Sequence, residues 1–165
     1  MRVRTLLEQL VAADTENPPG NEARAAALGA ARLQAAGISY QLFEFAPGRQ
    51  NLIARIKGNG SAKPLLLLAH IDVVPTAGQS WTSPPHRLTE KDGYLVGRGT
   101  TDGNYVTDSR QLRAAGILAY GFTGLALTDE DSSRAHGADE RIPAGSLRRA
   151  MEMTWALVVE LAGAH

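Results

Sequence analysis

The 165-residue chain has no cysteine. That excludes disulfides, fits a reducing compartment and restricts any metal site to histidine and carboxylate ligands. It has no excess charge of either sign, with 17 Lys and Arg against 17 Asp and Glu. Without a basic run to track phosphates, nucleic acid is not an expected partner. It also lacks a long apolar run. The longest, over 64–69, is strand-sized, well short of the ~18 residues that span a bilayer, so no membrane partner is expected. The N-terminus opens Met1-Arg2-Val3-Arg4 and turns amphipathic, which is not a signal-peptide pattern and leads to the expectation of a cytoplasmic protein.

What is present is ordinary globular composition. Apolar residues make up 44% and charged residues 21%, enough for one domain to bury a core without staples. Leu6, Leu7, Leu10 and Val11 fall at helical spacing and predict a helix over 2–13. Pro18-Pro19-Gly20 breaks it, and Asn21 is placed to cap a second helix over 22–36 that stops at Gly37. The alternation over 38–45 and the segment 51–56 read as strands, and Lys91-Asp92-Gly93 as the turn of a short hairpin over 87–96. The unbroken apolar run 65–69 has the character of a strand buried on both faces, inside a sheet. A helix over 108–115 ending at Gly116, a strand over 117–122 and a long helix over 144–162 complete the pattern. The last helix has Leu147, Met151, Leu157 and Leu161 on or near one stripe. Helices alternating with such a strand indicate an α/β domain with helices on both faces of a mixed sheet.

Four segments can carry chemistry. His70-Ile71-Asp72 sits at the carboxyl end of the apolar strand, the edge where open α/β sheets bind ligands. His70 is there either a metal ligand, with Asp72 orienting it, or a histidine satisfied at a strand end. Asp102 closes the glycine-containing loop Gly97-Arg98-Gly99-Thr100-Thr101-Asp102 and is either a ligand or a turn or cap residue. His136, in a polar loop, reads on its own as a surface histidine, and Asp129-Glu130-Asp131 as a solvated loop. His86 and His165 stand apart from any pattern.

Taken together, the segments resemble one family. The stretch Asp14-Thr15-Glu16-Asn17-Pro18-Pro19-Gly20-Asn21-Glu22 is followed in order by the segments 67–75, Trp81-Thr82-Ser83-Pro84-Pro85 and 93–102. Thr107-Asp108-Ser109-Arg110, 114–117, 119–122 and His136-Gly137-Ala138-Asp139-Glu140-Arg141-Ile142 come after them. Over nearly its whole length the chain resembles the zinc metallopeptidase family of aminoacylases, acetylornithine deacetylases, succinyl-diaminopimelate desuccinylases and glutamate carboxypeptidases. The resemblance implies a three-layer α/β/α fold with a mixed, largely parallel sheet, reduced from the zinc-peptidase catalytic domain. It implies zinc as cofactor and a small peptide or an N-acyl amino acid as substrate. By the same resemblance His70 is a ligand of one zinc, Asp102 a bridge between two, His136 a ligand of the second, and Asp72 the outer partner of His70. Thr107, Asp108 and Arg110 fall on the substrate side.

The family places a glutamate pair, one member the general base and the other a ligand, and a further acidic ligand between the segments matching Asp102 and Thr107. An inserted lid or dimerisation domain also lies there. Here Asp102 is followed by Gly103-Asn104-Tyr105-Val106, and no Glu-Glu pair occurs anywhere. The expected organisation is one abridged catalytic domain over 1–165. It has an N-terminal segment over 1–102, a junction over 103–106 expected as a short turn, and a C-terminal segment over 107–165. Asp102 is expected to be held less firmly than His70, and surface uncovered by the deletion to favour self-association. Two functional expectations follow: a zinc hydrolase of peptide or N-acyl bonds with weakened or no activity, or a non-catalytic, metal-binding minimised scaffold of the same fold. A third, metal-free structural domain would keep the ligands as relics.

Overall fold

The computed structural model describes residues 2–61, 63–102 and 108–163. Helices α1 (Arg2–Ala12) and α2 (Glu22–Ala35) open the chain. Val11, in the apolar stripe of α1, is buried. Asn21 stands at the N-terminus of α2 but makes no side-chain cap; the Ala23 N–H instead donates to the Gly48 carbonyl at 3.0 Å. At the other end Gly37 takes φ 68 and the Ile38 N–H donates to Leu33 O, which closes the helix.

Strands β1 (Tyr40–Ala46) and β2 (Arg49–Ala54) pair antiparallel, with Phe43 opposite Asn51 and an irregularity between Glu44 and Ala46. α2 lies against this hairpin so closely that a Cβ on Gly29 would sit 2.6 Å from Leu52 Cδ2. Arg49 clasps the buried Glu22 through Nε, at 3.0 and 3.2 Å from its two oxygens. A second antiparallel sheet holds β3 (Thr89–Lys91), β4 (Tyr94–Val96) and β5 (Arg141–Pro143). Asp92 and Gly93 turn the β3–β4 hairpin with φ of 51 and 80, the left-handed pair that Asp-Gly supplies most readily. Leu95 faces Ile142 across the β4–β5 ladder, and both are 1% exposed: this is the centre of the core.

Helix α3 (Asp108–Ala114) ends at Gly116 as the sequence predicts, with the Ile117 N–H donating to Leu112 O. A short helix α4 (Asp129–Ser133) replaces the expected acidic loop. Its Thr128 and Asp131 form a reciprocal capping box, and Asp131 is fully buried. Helix α5 (Ser146–Ala162) buries its first turns through Ser146 and Ala150. Of its predicted stripe, Met151 and Leu161 are exposed, so the apolar face finds little cover beyond the first turns. No helix is long and apolar enough to cross a membrane among the described residues.

The α/β class holds, but the layered parallel sheet does not close in this chain. Both sheets are antiparallel, and the parallel pairing among the described residues is a single bridge between Glu16 and Val73. The segment 65–69, expected inside a sheet, is extended without a ladder, and Leu66 and Leu67 are 70% and 65% exposed. The expected strand 117–122 is also unpaired, with Leu118 and Tyr120 exposed. An inner parallel strand needs a ladder on each side, supplied by crossover units. The four residues between Asp102 and Thr107, Gly103-Asn104-Tyr105-Val106, are too few to provide them.

Candidate metal centre

The loop 97–102 leaves β4 and is fastened from within by Glu140, the residue just before β5. Glu140 is fully buried. Its Oε1 accepts the backbone N–H groups of Thr101 and Asp102, the latter at 2.9 Å; its Oε2 accepts the N–H of Gly99 at 3.1 Å and Arg98 Nη1 at 2.9 Å. A carboxylate accepting four donors holds the loop as a charged cap holds a helix end. Arg98, 1% exposed, completes this unit: its guanidinium lies 5.0 Å from the Trp81 ring centroid and donates to Gln79 Oε1. At Gly99 the chain takes φ 84 and passes so near Val73 that a Cβ would meet Cγ1 at 2.8 Å.

This loop carries Asp102 to the site, 5% exposed. The Asp102 Oδ1 atom is in short contact with His136 Nε2 and lies 3.9 Å from His70 Nε2. Both imidazoles therefore present the same nitrogen to one carboxylate oxygen. His136 sits at φ 66, and its carbonyl accepts from Gln79 Nε2 at 2.8 Å. Asp139, three residues on, accepts the Thr82 N–H at 2.9 Å, so the 79–82 loop secures the 136–139 turn.

Behind His70 stands Asp72. His70 Nδ1 lies 3.0 Å from the Asp72 carbonyl and 3.2 Å from its Oδ1. Both are acceptors, so Nδ1 carries the proton and Nε2 turns its lone pair towards Asp102. Asp72 Oδ2 accepts from Asn17 Nδ2 at 2.9 Å. Partial burial pushes the Asp72 carboxyl up, but the Asn17 hydrogen bond and the neighbouring His70 outweigh it and hold it below its ordinary range.

The structure thus brings His70, Asp72, Asp102 and His136 into one place. Arg110 is exposed on α3, Asp108 opens that helix, and Thr107 and the 103–106 junction lie outside the described residues. The expectation that Asp102 is held less firmly than His70 rests on the junction that follows it, and that junction lies outside the described residues. Asp102 is buried and pinned through its backbone by Glu140, whereas His70 follows the unpaired segment 65–69.

Among the described residues no glutamate at this site has a free carboxylate oxygen. Both Glu140 oxygens are taken by the loop and Arg98, and Glu130 pairs with Arg134 and Arg141. The roles of Glu140 and Arg98 had no local signal, because their partners are 38 to 42 residues apart. The burial of Asp131 had one, since Thr128-x-x-Asp131 is a capping-box spacing. The donor types fit zinc, since imidazole nitrogen and carboxylate oxygen suit a borderline cation.

Residues 66–107 match the family model of peptidase family M20/M25/M40. Among curated proteins, acetylornithine deacetylase of Vibrio campbellii is 45% identical over 67 residues, 40% of this chain and 17% of that protein. Succinyl-diaminopimelate desuccinylase of Delftia acidovorans is 38% identical over 106 residues, 61% of this chain and 27% of that protein. The chain thus spans well under a third of the length of these relatives. Among solved structures, human carnosine dipeptidase 1 superposes with a TM-score of 0.53 at 23% identity, over 70% of this chain and 29% of that one, a likeness of fold.

Proposed function

Starting from a chain that is a relative of peptidase family M20/M25/M40, we propose that His70, Asp102 and His136 form a zinc site. The site is of the type that hydrolyses peptide or N-acyl amino acid bonds, here with weakened or no activity. The observation that carries this reading is the approach of both Nε2 atoms to Asp102 Oδ1. When bound, zinc supplies a Lewis acid that polarises a scissile carbonyl and lowers the pKa of a bound water. Asp72 keeps the proton of His70 on Nδ1 and its lone pair on Nε2. Glu140 holds the Asp102 backbone. Glu140 and Glu130 are engaged elsewhere and leave no glutamate of the described site as general base, whose help is typically worth ~10²–10⁴ in rate.

That deficit favours the second reading, a single abridged domain that binds metal without turning over an amide. The substrate class on the first reading is a small peptide or an N-acyl amino acid, in keeping with the deacetylase and desuccinylase names of the relatives. Zinc content and hydrolysis of an N-acyl amino acid, measured on the same preparation, test both. Zinc that is lost in His70→Ala, with amide turnover at or near background, is expected. A chain that retains no zinc overturns the proposal. Robust, chelator-sensitive turnover overturns the deficit and requires another base.

A further inference from the structure

A second group of donors meets at Glu16, which follows α1, and none of them belongs to the set around Asp102. His86 Nε2 lies 2.9 Å from Glu16 Oε1 and 3.6 Å from Asp14 Oδ1. One oxygen from each carboxylate and this nitrogen lie within 4.8 Å of one another. We propose that Asp14, Glu16 and His86 form a separate site for a divalent cation of the zinc class.

Charge supports this first. Among the described residues no Lys or Arg side chain pairs with the carboxylate of Asp14 or Glu16, and His86 is the only imidazole between them. Two carboxylates around one imidazole leave net negative charge even when the ring is protonated, and a divalent cation cancels it. The donor chemistry agrees. One nitrogen and two oxygens suit a borderline metal, and three protein ligands leave a position for water. The side chains of His86 and Glu16 are 24% and 22% exposed and that of Asp14 is 46% exposed, so the site opens to solvent on the Asp14 side.

The surroundings also hold the donors in place. Thr76 donates to Glu16 Oε1 through its N–H at 2.9 Å and its hydroxyl at 2.6 Å, which orients the carboxylate as an outer partner orients a ligand. The Glu16 backbone is tied to Val73 through the parallel bridge. His86 lies in a turn fixed by bonds from the Arg87 N–H to Pro84 O and from the Arg98 N–H to Pro85 O. A cation here would join the end of α1, the loop at Thr76 and the turn at His86, a staple for a chain that has no disulfide.

The test uses the whole chain and zinc ion alone. With His70 and His136 both changed to Ala, equilibrium dialysis is expected to retain one zinc, and zinc is expected to raise the unfolding temperature. Adding His86→Ala is expected to weaken that binding by about 100-fold or more, the upper end of what even an outer partner is worth. Glu16→Gln is expected to weaken it in the same direction. No zinc bound to the double variant, or binding unchanged by His86→Ala, overturns the site. Should the double variant fail to fold, the His86 ring resonances of the unmodified chain decide. They shift on zinc addition if the site exists; unmoved at saturating zinc, they overturn it. Loss of zinc from the His70 set alone leaves this site standing, so the two proposals fail independently.

Discussion

Glu140 Oε1 accepts the backbone N–H of Asp102 at 2.9 Å across 38 residues of sequence. Through that bond the β5 side of the small sheet determines where the central carboxylate of the proposed metal site stands. The same side chain is paired with Arg98, and both are fully buried. Removing one partner of a buried pair strands the other charge, which typically costs about 3–5 kcal/mol. Glu140→Ala is therefore expected to destabilise the chain by about 3–5 kcal/mol. Urea unfolding measures it, and a loss below about 1 kcal/mol would mean that water or another group satisfies Arg98.

In the proposed zinc site Asp72 would act on the metal through His70. Asp72→Ala is expected to weaken zinc binding at the His70 set by about 10–100-fold, the usual worth of an outer partner. Imidazole nitrogen shifts provide the second readout, because the Nδ1-protonated form of His70 should lose its preference. Unchanged affinity and tautomer would leave Asp72 with a structural role only.

Stability should fall in acid. Burial raises the Asp131 carboxyl, but bonds from Arg141 and Thr128 outweigh it and hold it below the ordinary 3.8. Burial likewise raises the Glu16 carboxyl, but bonds from Thr76 and His86 outweigh it and hold it below 4.5. A carboxyl depressed in the folded state contributes stability that is present above its unfolded value and lost as pH falls through its folded one. Stability should hold from neutral pH to about 5 and decline below about 4. Thermal unfolding of the chain and of Asp131→Asn across that range checks it: the variant should be less stable at pH 7 and lose less on acidification.

How much was legible in the sequence follows the range of each contact. The Asp92-Gly93 hairpin and the stop at Gly116 were readable because a left-handed residue is a local demand. The residues of the proposed metal site were readable from their motifs, although His136 alone looks like any surface histidine. The fate of 65–69 was not, since an apolar run reports what a strand wants on its faces and not whether its neighbours exist. Glu16 and His86 were not either: 70 residues separate them, and no periodicity spans that distance.

The unpaired 65–69 segment gives a further prediction. Its leucines, with Leu118 and Tyr120, leave apolar surface uncovered in this chain, and such surface favours self-association. Leu66→Lys with Leu68→Lys should shift sedimentation towards the monomer and leave far-UV circular dichroism unchanged. Association that persists unaltered would place the contact elsewhere.

Above all, His70 and His136 are expected to bind metal about Asp102. Long-range proton–nitrogen spectra of the imidazoles, recorded before and after zinc and again after chelator, test this most directly. Nε2 of His70 and of His136 are both expected to move to ligated positions, Nδ1 of His70 to stay protonated, and chelator to reverse the change. Zinc binding that leaves both Nε2 signals where they were would contradict it.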